Sequence, residues 1–79
     1  MVRIVKHSVT LRGHRTSISL EAPFWDHLKA FAARDGSSLN ELIATVDEAR
    51  VRRAPETMPG LSSALRVYVL ERLARADRP

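Results

Sequence analysis

The chain of 79 residues contains no cysteine, and only three of its residues are glycine and four are proline. Without cysteine, neither disulfides nor thiolate metal sites can stabilise the fold. No apolar run approaches the roughly 20 residues of a membrane span, and no signal-peptide core is visible, so we expect a cytoplasmic protein with no membrane partner. Because one domain of this length buries only a modest core, oligomerisation is the expected further source of stability.

Positive charge is abundant by contrast, and its distribution is uneven. Lysine and arginine number 13 against 9 acidic residues, which gives a formal net charge of +4. Residues 1–21 hold four cations and one carboxylate, whereas residues 22–47 hold two cations and four carboxylates. A basic balance at this size favours a polyanionic partner such as nucleic acid.

The basic part of the chain has strand character. Residues 2–11, VRIVKHSVTL, are rich in β-branched residues, and we interpret residues 1–13 as an N-terminal strand or arm. Gly13 marks a turn or bulge. From residue 14 to residue 21 polar and apolar residues alternate, which predicts a strand with one apolar and one polar face. The apolar face holds Thr16, Ile18, Leu20 and then Ala22, and the polar face holds Arg15, Ser17, Ser19 and Glu21.

Three helices are predicted after this strand, in a single domain that spans residues 1–79. Pro23 suits the first turn of a helix over 23–35, which ends at Gly36. SLNE at 38–41 is a capping box for a second helix over 39–52. Residues 54–60, with two prolines and a glycine, form a connector, and Ser62 is a candidate cap for a third helix within 61–76.

The edge of a single strand must pair with something. If residues 15–21 pair with the same segment of a second chain, an antiparallel two-stranded ribbon forms, and such a ribbon fits the major groove of DNA. The isolated monomer would then not fold, because it has half a ribbon and half a core. The residues expected in the dimer core are Ile18, Leu20, Trp25, Leu28, Leu42, Ile43 and Val46. The alternative is a hairpin, in which Ser8, Thr10 and Arg12 form the outer face of residues 2–11.

The strand, the helix that opens at proline and the turn GSSLNELI resemble the ribbon-helix-helix repressors of the Arc, MetJ and CopG type. The resemblance covers about residues 14–52, includes Arg15-x-Ser17-x-Ser19 and inward Ile18 and Leu20, and is closest to a short uncharacterised bacterial subfamily. It implies a mainly α fold with a short β-ribbon, a homodimer and a core over 14–53. The predicted third helix lies outside the minimal family fold and is expected as an extra C-terminal helix. It also implies a DNA-binding transcriptional regulator, a repressor without enzymatic activity or cofactor.

The resemblance assigns roles to particular residues. Alternate polar strand residues contact bases in the major groove, a role that falls on Arg15, Ser17 and Ser19. The amino end of the second helix grips a phosphate, a role that falls on Ser37, Ser38 and Leu39. Arg12 and Lys6 are expected as further phosphate partners. Glu21 shares the strand's outer face, where its carboxylate would repel phosphates.

A helix-turn-helix is the alternative DNA-binding element, in which the second helix would contact bases in the major groove. The exposed positions expected on that helix include the acidic residues Glu41, Asp47 and Glu48, beside Asn40. Because phosphates repel carboxylates, the basic strand is the better candidate.

The alternative function is a protein-interaction module, antitoxin-like or an adaptor, whose third helix binds a protein partner. Other classes have less support. His7, His14 and His27 are scattered without metal-ligand spacing, so no metal site is expected. The serines lack a base and an orienting partner, so no catalytic site is expected.

Overall fold

The computed structural model describes residues 2–53 and 60–76. In chain order the elements are β1 (Ile4–Leu11), β2 (His14–Glu21), α1 (Ala22–Asp35), α2 (Leu39–Arg53) and α3 (Leu61–Ala76). The expected mainly α fold with a short two-stranded ribbon and an additional C-terminal helix is confirmed. The predicted connector, apart from residue 60, lies outside the described residues, as do the last three positions of the chain.

β1 and β2 pair with each other as an antiparallel hairpin, in a register that runs from Leu11 opposite His14 to Ile4 opposite Glu21. The two residues between the strands, Arg12 and Gly13, have φ angles of 52° and 80°. Positive φ at both central positions is the signature of a type I′ turn, whose twist matches that of the flanking strands. The hairpin is therefore closed by a tight two-residue connection.

The expectation that residues 15–21 pair with the same segment of a second chain is wrong, because their partner is β1 of the same chain. A two-residue loop costs little chain entropy, and the β-branched residues of β1 suit a strand. The hairpin alternative describes the structure. One chain holds a complete ribbon, so the argument that a lone subunit has half a ribbon no longer applies; the homodimer itself stays a prediction.

Helix boundaries follow the local signals closely. Pro23 lies in the first turn of α1, and Gly36 ends it at a φ of 69°. The amide of Ser37 then donates to the carbonyl oxygen of Ala32 over 3.0 Å, as expected for a left-handed helix end. α3 begins differently from the prediction: Ser62 lies inside the first turn rather than before it, and its hydroxyl accepts from the amide of Ser19 over 3.3 Å.

The apolar face of the hairpin packs on the helices. α1 and α3 contact β2, and α2 contacts β1. The buried apolar residues come from every element; they are Leu11, Ile18, Leu20, Leu28, Phe31, Ala32, Leu42, Ile43, Val46, Leu65 and Val69. Six of the seven residues expected in a dimer core are thus buried within one chain. The seventh, Trp25, is half-buried and stacks on His7 of β1, with ring centres 3.6 Å apart.

α3 is an integral part of this core. Leu65 and Val69 are at most 1% exposed. The guanidinium of Arg72 donates to both carboxylate oxygens of Asp35 at the end of α1, over 2.8 and 2.7 Å, and lies 4.3 Å from the centre of the Phe31 ring. The third helix is therefore anchored to α1 by burial, by an ion pair and by a cation–π contact.

Gly13→Ala is expected to lower the free energy of unfolding by about 1–2 kcal/mol, because a side chain disfavours left-handed backbone. An added Cβ would meet no atom within 4 Å, so the loss is conformational rather than steric. Gly13→Asn is the matched control, since asparagine tolerates this region better. Denaturant titration of the three proteins tests the prediction, and equal losses for Ala and Asn would contradict it.

Candidate nucleic-acid interface

The outward face of the hairpin holds an array of six polar side chains between the turn and the terminal pair Ile4 and Glu21. The register places Lys6 opposite Ser19, Ser8 opposite Ser17 and Thr10 opposite Arg15. All six residues are exposed. Within residues 2–53 and 60–76, none of these side chains takes part in a hydrogen bond or an ion pair. Two cations and four hydroxyl groups are therefore available to a partner.

The hairpin brings together residues that the sequence analysis treated separately. Arg15, Ser17 and Ser19 lie side by side on β2 as predicted, and Lys6 joins the same face from β1. Ser8 and Thr10 complete that face, although no binding role was assigned to them. The period-two alternation of β1 had placed both on the outer face in the hairpin alternative, whereas the two-chain ribbon gave them no position in the ribbon.

Glu21 does not present a free carboxylate to a partner of this face. Nε of Arg66 on α3 donates to its Oε1 over 2.8 Å, and Nη2 of the same guanidinium lies 3.5 Å from Oε2. The hydrogen bond from Arg66 lowers the pKa of Glu21 below its ordinary value, so the carboxylate stays ionised and paired. The expected repulsion of phosphates by Glu21 is thus offset by a neighbouring cation.

The helices hold the backbone of the array at two places. Ser19 donates its amide to Ser62 and accepts at its carbonyl from Arg66 over 3.4 Å. At the other end of the face, the side-chain amide of Asn40 on α2 donates to the carbonyl oxygen of Thr10 over 2.6 Å. Each strand of the ribbon is therefore fixed to a helix through one residue of the polar face.

The amino end of α2 contains the predicted phosphate-contact residues, and it already holds a carboxylate. The amide of Ser38 donates to Oε1 of Glu41 over 3.1 Å, and the Ser38 hydroxyl accepts from the amide of Glu41 over 3.0 Å. This capping box confirms the sequence pattern and lowers the pKa of Glu41 through the Ser38 amide. The Ser37 amide caps α1, which leaves the amides of Leu39 and Asn40 directed out of the helix start.

Arg12 lies in the hairpin turn rather than on the polar face. Its Nη2 is 3.5 Å from Oε1 of Glu48 on α2, and both side chains are about half exposed. An exposed ion pair at this distance stabilises little. The guanidinium can therefore exchange Glu48 for a phosphate at small cost.

A groove between α2 and α3 forms a second surface feature, with a volume of about 520 Å³. Apolar residues line much of it, with Val46, Ala49 and Ala64 among them, and the cations Arg53 and Arg75 also belong to its lining. Val67 borders the groove and is 50% exposed, and Leu70 beside it on α3 is 66% exposed. α3 therefore presents apolar surface outward as well as inward.

Neither a metal-binding group nor a membrane-spanning helix is found in the described residues. Over residues 2–53 and 60–76, no three of the histidine, aspartate and glutamate side chains form a group that could hold a metal ion. In the same ranges, no helix combines the length and the apolar character that crossing a membrane requires.

Comparison with known proteins agrees with this geometry. A family model described as a ribbon-helix-helix domain matches residues 4–73. The chain belongs to the ribbon-helix-helix family. Ribbon-helix-helix domains have a regulatory, DNA-binding fold without enzymatic activity. The match includes both strands and most of α3, so it extends well beyond the core at 14–53 that the sequence suggested.

A solved structure is similar to this ribbon-helix-helix chain over almost its whole length. It is that of an uncharacterised protein from Bordetella pertussis Tohama I, which is 34% identical, with a TM-score of 0.79. The alignment covers 96% of this chain and 61% of that chain, so the chain spans somewhat less than two thirds of its structural relative. No protein with a curated description matches the chain.

Acid is expected to weaken the contact between the ribbon and α3. The pKa of Glu21 is lowered from 4.5 in the folded chain, so the stability it contributes is present above about pH 4.5 and is lost as pH falls through the folded-state value. Denaturant titration should give a lower free energy of unfolding at pH 3 than at pH 7, and a smaller difference in Glu21→Gln. Asp35 and Glu41, whose pKa values are also lowered, account for the remaining difference. An unchanged pH dependence in Glu21→Gln would contradict the assignment.

Proposed function

We propose that the protein is a transcriptional regulator, a repressor, that inserts its β-hairpin into the major groove of double-stranded DNA. The observation that carries the proposal is the outward face of the hairpin. Six of its polar side chains are exposed and have no partner in the described residues, and the charged ones among the six are cations, whereas Glu21 at the end of the face is paired with Arg66. A two-stranded ribbon has the dimensions of the major groove, and phosphates along its edges attract lysine and arginine.

Base contacts are assigned to Arg15, Ser17 and Ser19. An arginine can bind the edge of guanine with two hydrogen bonds, and a serine hydroxyl can donate or accept at any base. Short side chains beside Arg15 also let the backbone of the ribbon approach the bases. The anchoring of Ser19 to α3 supports this assignment, because a fixed strand orients its readers.

Phosphate contacts are assigned to two regions beside the ribbon. At the start of α2, Ser37, Ser38 and Leu39 surround amides that point out of the helix, where the helix dipole favours an anion. Lys6 on the ribbon and Arg12 in its turn supply two further exposed cations. The hydrogen bond from Asn40 to β1 supports this grouping, since it ties the start of α2 to the ribbon.

Ribbon-helix-helix proteins typically bind DNA as dimers, and we propose a homodimer for this protein as well. Because each chain holds a complete hairpin, the dimer would join two finished ribbons rather than two single strands. Apolar side chains near the start of β1 offer a surface for contact with a second copy. Ile4 is 61% exposed, and Val2 before it is 57% exposed.

A protein-interaction module is the second candidate function. It is favoured by the largely apolar lining of the groove between α2 and α3 and by exposed Val67 and Leu70 on α3. The two functions use different residues of the molecule. A regulator depends on Arg15, whereas a module that binds a protein through α3 does not.

Arg15→Ala is expected to weaken duplex binding by about 1–3 kcal/mol, because it removes a base contact. Lys29→Ala, which removes one exposed charge from α1, is the matched control and should change affinity little. A mobility-shift assay on genomic fragments measures both, with binding of the wild type falling steeply as salt is added. Equal losses in the two variants, or no wild-type binding at low salt, would reject the proposed function.

Glu41→Gln is expected to strengthen duplex binding by roughly twofold to fivefold, the size of a charge effect at a helix start. Glutamine preserves the capping box with Ser38 but removes the carboxylate that competes with phosphate. Glu71→Gln on α3 makes the same charge change away from the start of α2 and is the control. Equal strengthening in both variants would show an effect of net charge and would reject the phosphate site.

A further inference from the structure

The polar face of the hairpin has an internal symmetry that the pairing register makes visible. Ser8 lies opposite Ser17 at the centre of the array. A half-turn about an axis perpendicular to the sheet, between these two serines, superimposes β1 on β2 in the antiparallel sense. It carries Lys6 to the position of Arg15 and Thr10 to that of Ser19.

The residues related by this axis match in chemistry. KHSVTL at residues 6–11 corresponds to RTSISL at residues 15–20. A cation, a serine and a further hydroxyl residue recur on the outward face in the same order. On the inward face Val9 corresponds to Ile18 and Leu11 corresponds to Leu20, and all four pack in the core.

The hydrogen bonds that hold the two strands to the helices follow the same two-fold relation. Thr10 and Ser19 are equivalent positions, and each is the residue whose backbone a helix holds. Asn40 of α2 donates to the carbonyl oxygen of Thr10, and Arg66 of α3 donates to that of Ser19. Both halves of the face are thus fixed at corresponding points.

We propose that the hairpin is a base-contacting surface with approximate two-fold symmetry, formed by one chain alone. Arg15, Ser17 and Ser19 contact one half of a short inverted repeat, and Lys6, Ser8 and Thr10 contact the other half. This inference rests on the proposed function and extends it, since Lys6 becomes a base reader rather than only a phosphate partner. The two-fold axis of the hairpin coincides with a two-fold axis of the duplex, as protein and operator symmetry coincide in other regulators.

The dimensions of the hairpin fit such a site. From a strand rise of about 3.4 Å and a strand spacing of about 4.8 Å, the Cα atoms of Lys6 and Arg15 are roughly 14 Å apart. That distance corresponds to about four base-pair steps at roughly 3.4 Å each. Lysine and arginine both bind the O6 and N7 atoms of guanine. The inferred site therefore has two guanines on opposite strands, separated by about four steps.

Selection of bound duplexes from a random library tests the inference. The wild type should enrich an inverted repeat with a guanine in each half. Lys6→Ala should relax the preference by about tenfold at one half only, and Arg15→Ala should do so at the other half. Lys6→Arg should retain both preferences. Lys29→Ala is the charge-matched control, and circular dichroism establishes that each variant is folded.

The outcomes separate this inference from the proposed function. If Lys6→Ala lowers affinity equally for all sequences while Arg15→Ala relaxes one base preference, the inference of two-fold base contacts is overturned. The proposed function as a DNA-binding regulator is then retained. If Arg15→Ala relaxes both halves together, the symmetry comes from two copies of the chain, and the inference is likewise overturned. Failure of the wild type to bind any duplex at low salt would reject the proposed function and, with it, the inference.

Discussion

The left-handed backbone at Arg12 and Gly13 is the constraint on which the rest of the structure depends. A two-residue turn fixes which residues of β1 and β2 lie opposite each other. Because side chains alternate along a strand, a shift of one residue in one strand would move its apolar residues to the solvent side. The observed register instead places Ile18 and Leu20 in the core and leaves Ser17 and Ser19 outside. Core and candidate interface are thus two consequences of one turn.

α3 partly covers a strand edge of the ribbon, whereas a second subunit was expected to pair with the strand. A strand in a two-stranded ribbon has one edge paired and the other edge open. On β2 the open edge is met at Ser19 by Ser62 and Arg66 of α3. Arg66 also forms an ion pair with Glu21, and Arg72 of α3 forms one with Asp35 at the end of α1. The additional helix therefore closes the single-chain fold and also adjusts the charge of the ribbon face.

Local signals in the sequence were sufficient for most of the fold. Pro23, Gly36 and the pair Ser38 and Glu41 each act within a few residues, so the ends of α1 and the start of α2 were predictable. The choice of strand partner was not, because period-two alternation shows which face is buried but not which strand lies alongside. Links such as Arg66 to Glu21, 45 residues apart, depend on tertiary packing and leave no spacing signal. The polar face of β2 was predicted, and the hairpin alternative placed Ser8 and Thr10 of β1 on an outer face as well, but only the register shows which residues of the two strands lie opposite each other.

A ribbon built from one chain differs in a physical way from a ribbon built from two copies. In a two-copy ribbon every outward residue occurs twice, so its two halves have identical chemistry by symmetry. In a hairpin the equivalent positions are encoded separately, so Lys6 and Arg15 can differ while Ser8 and Ser17 remain the same. Arginine and lysine differ in geometry and hydration, and only arginine has a planar fork. A single-chain ribbon can therefore match a DNA sequence whose two halves are similar but unequal, and it retains that asymmetry whatever the number of chains that bind together.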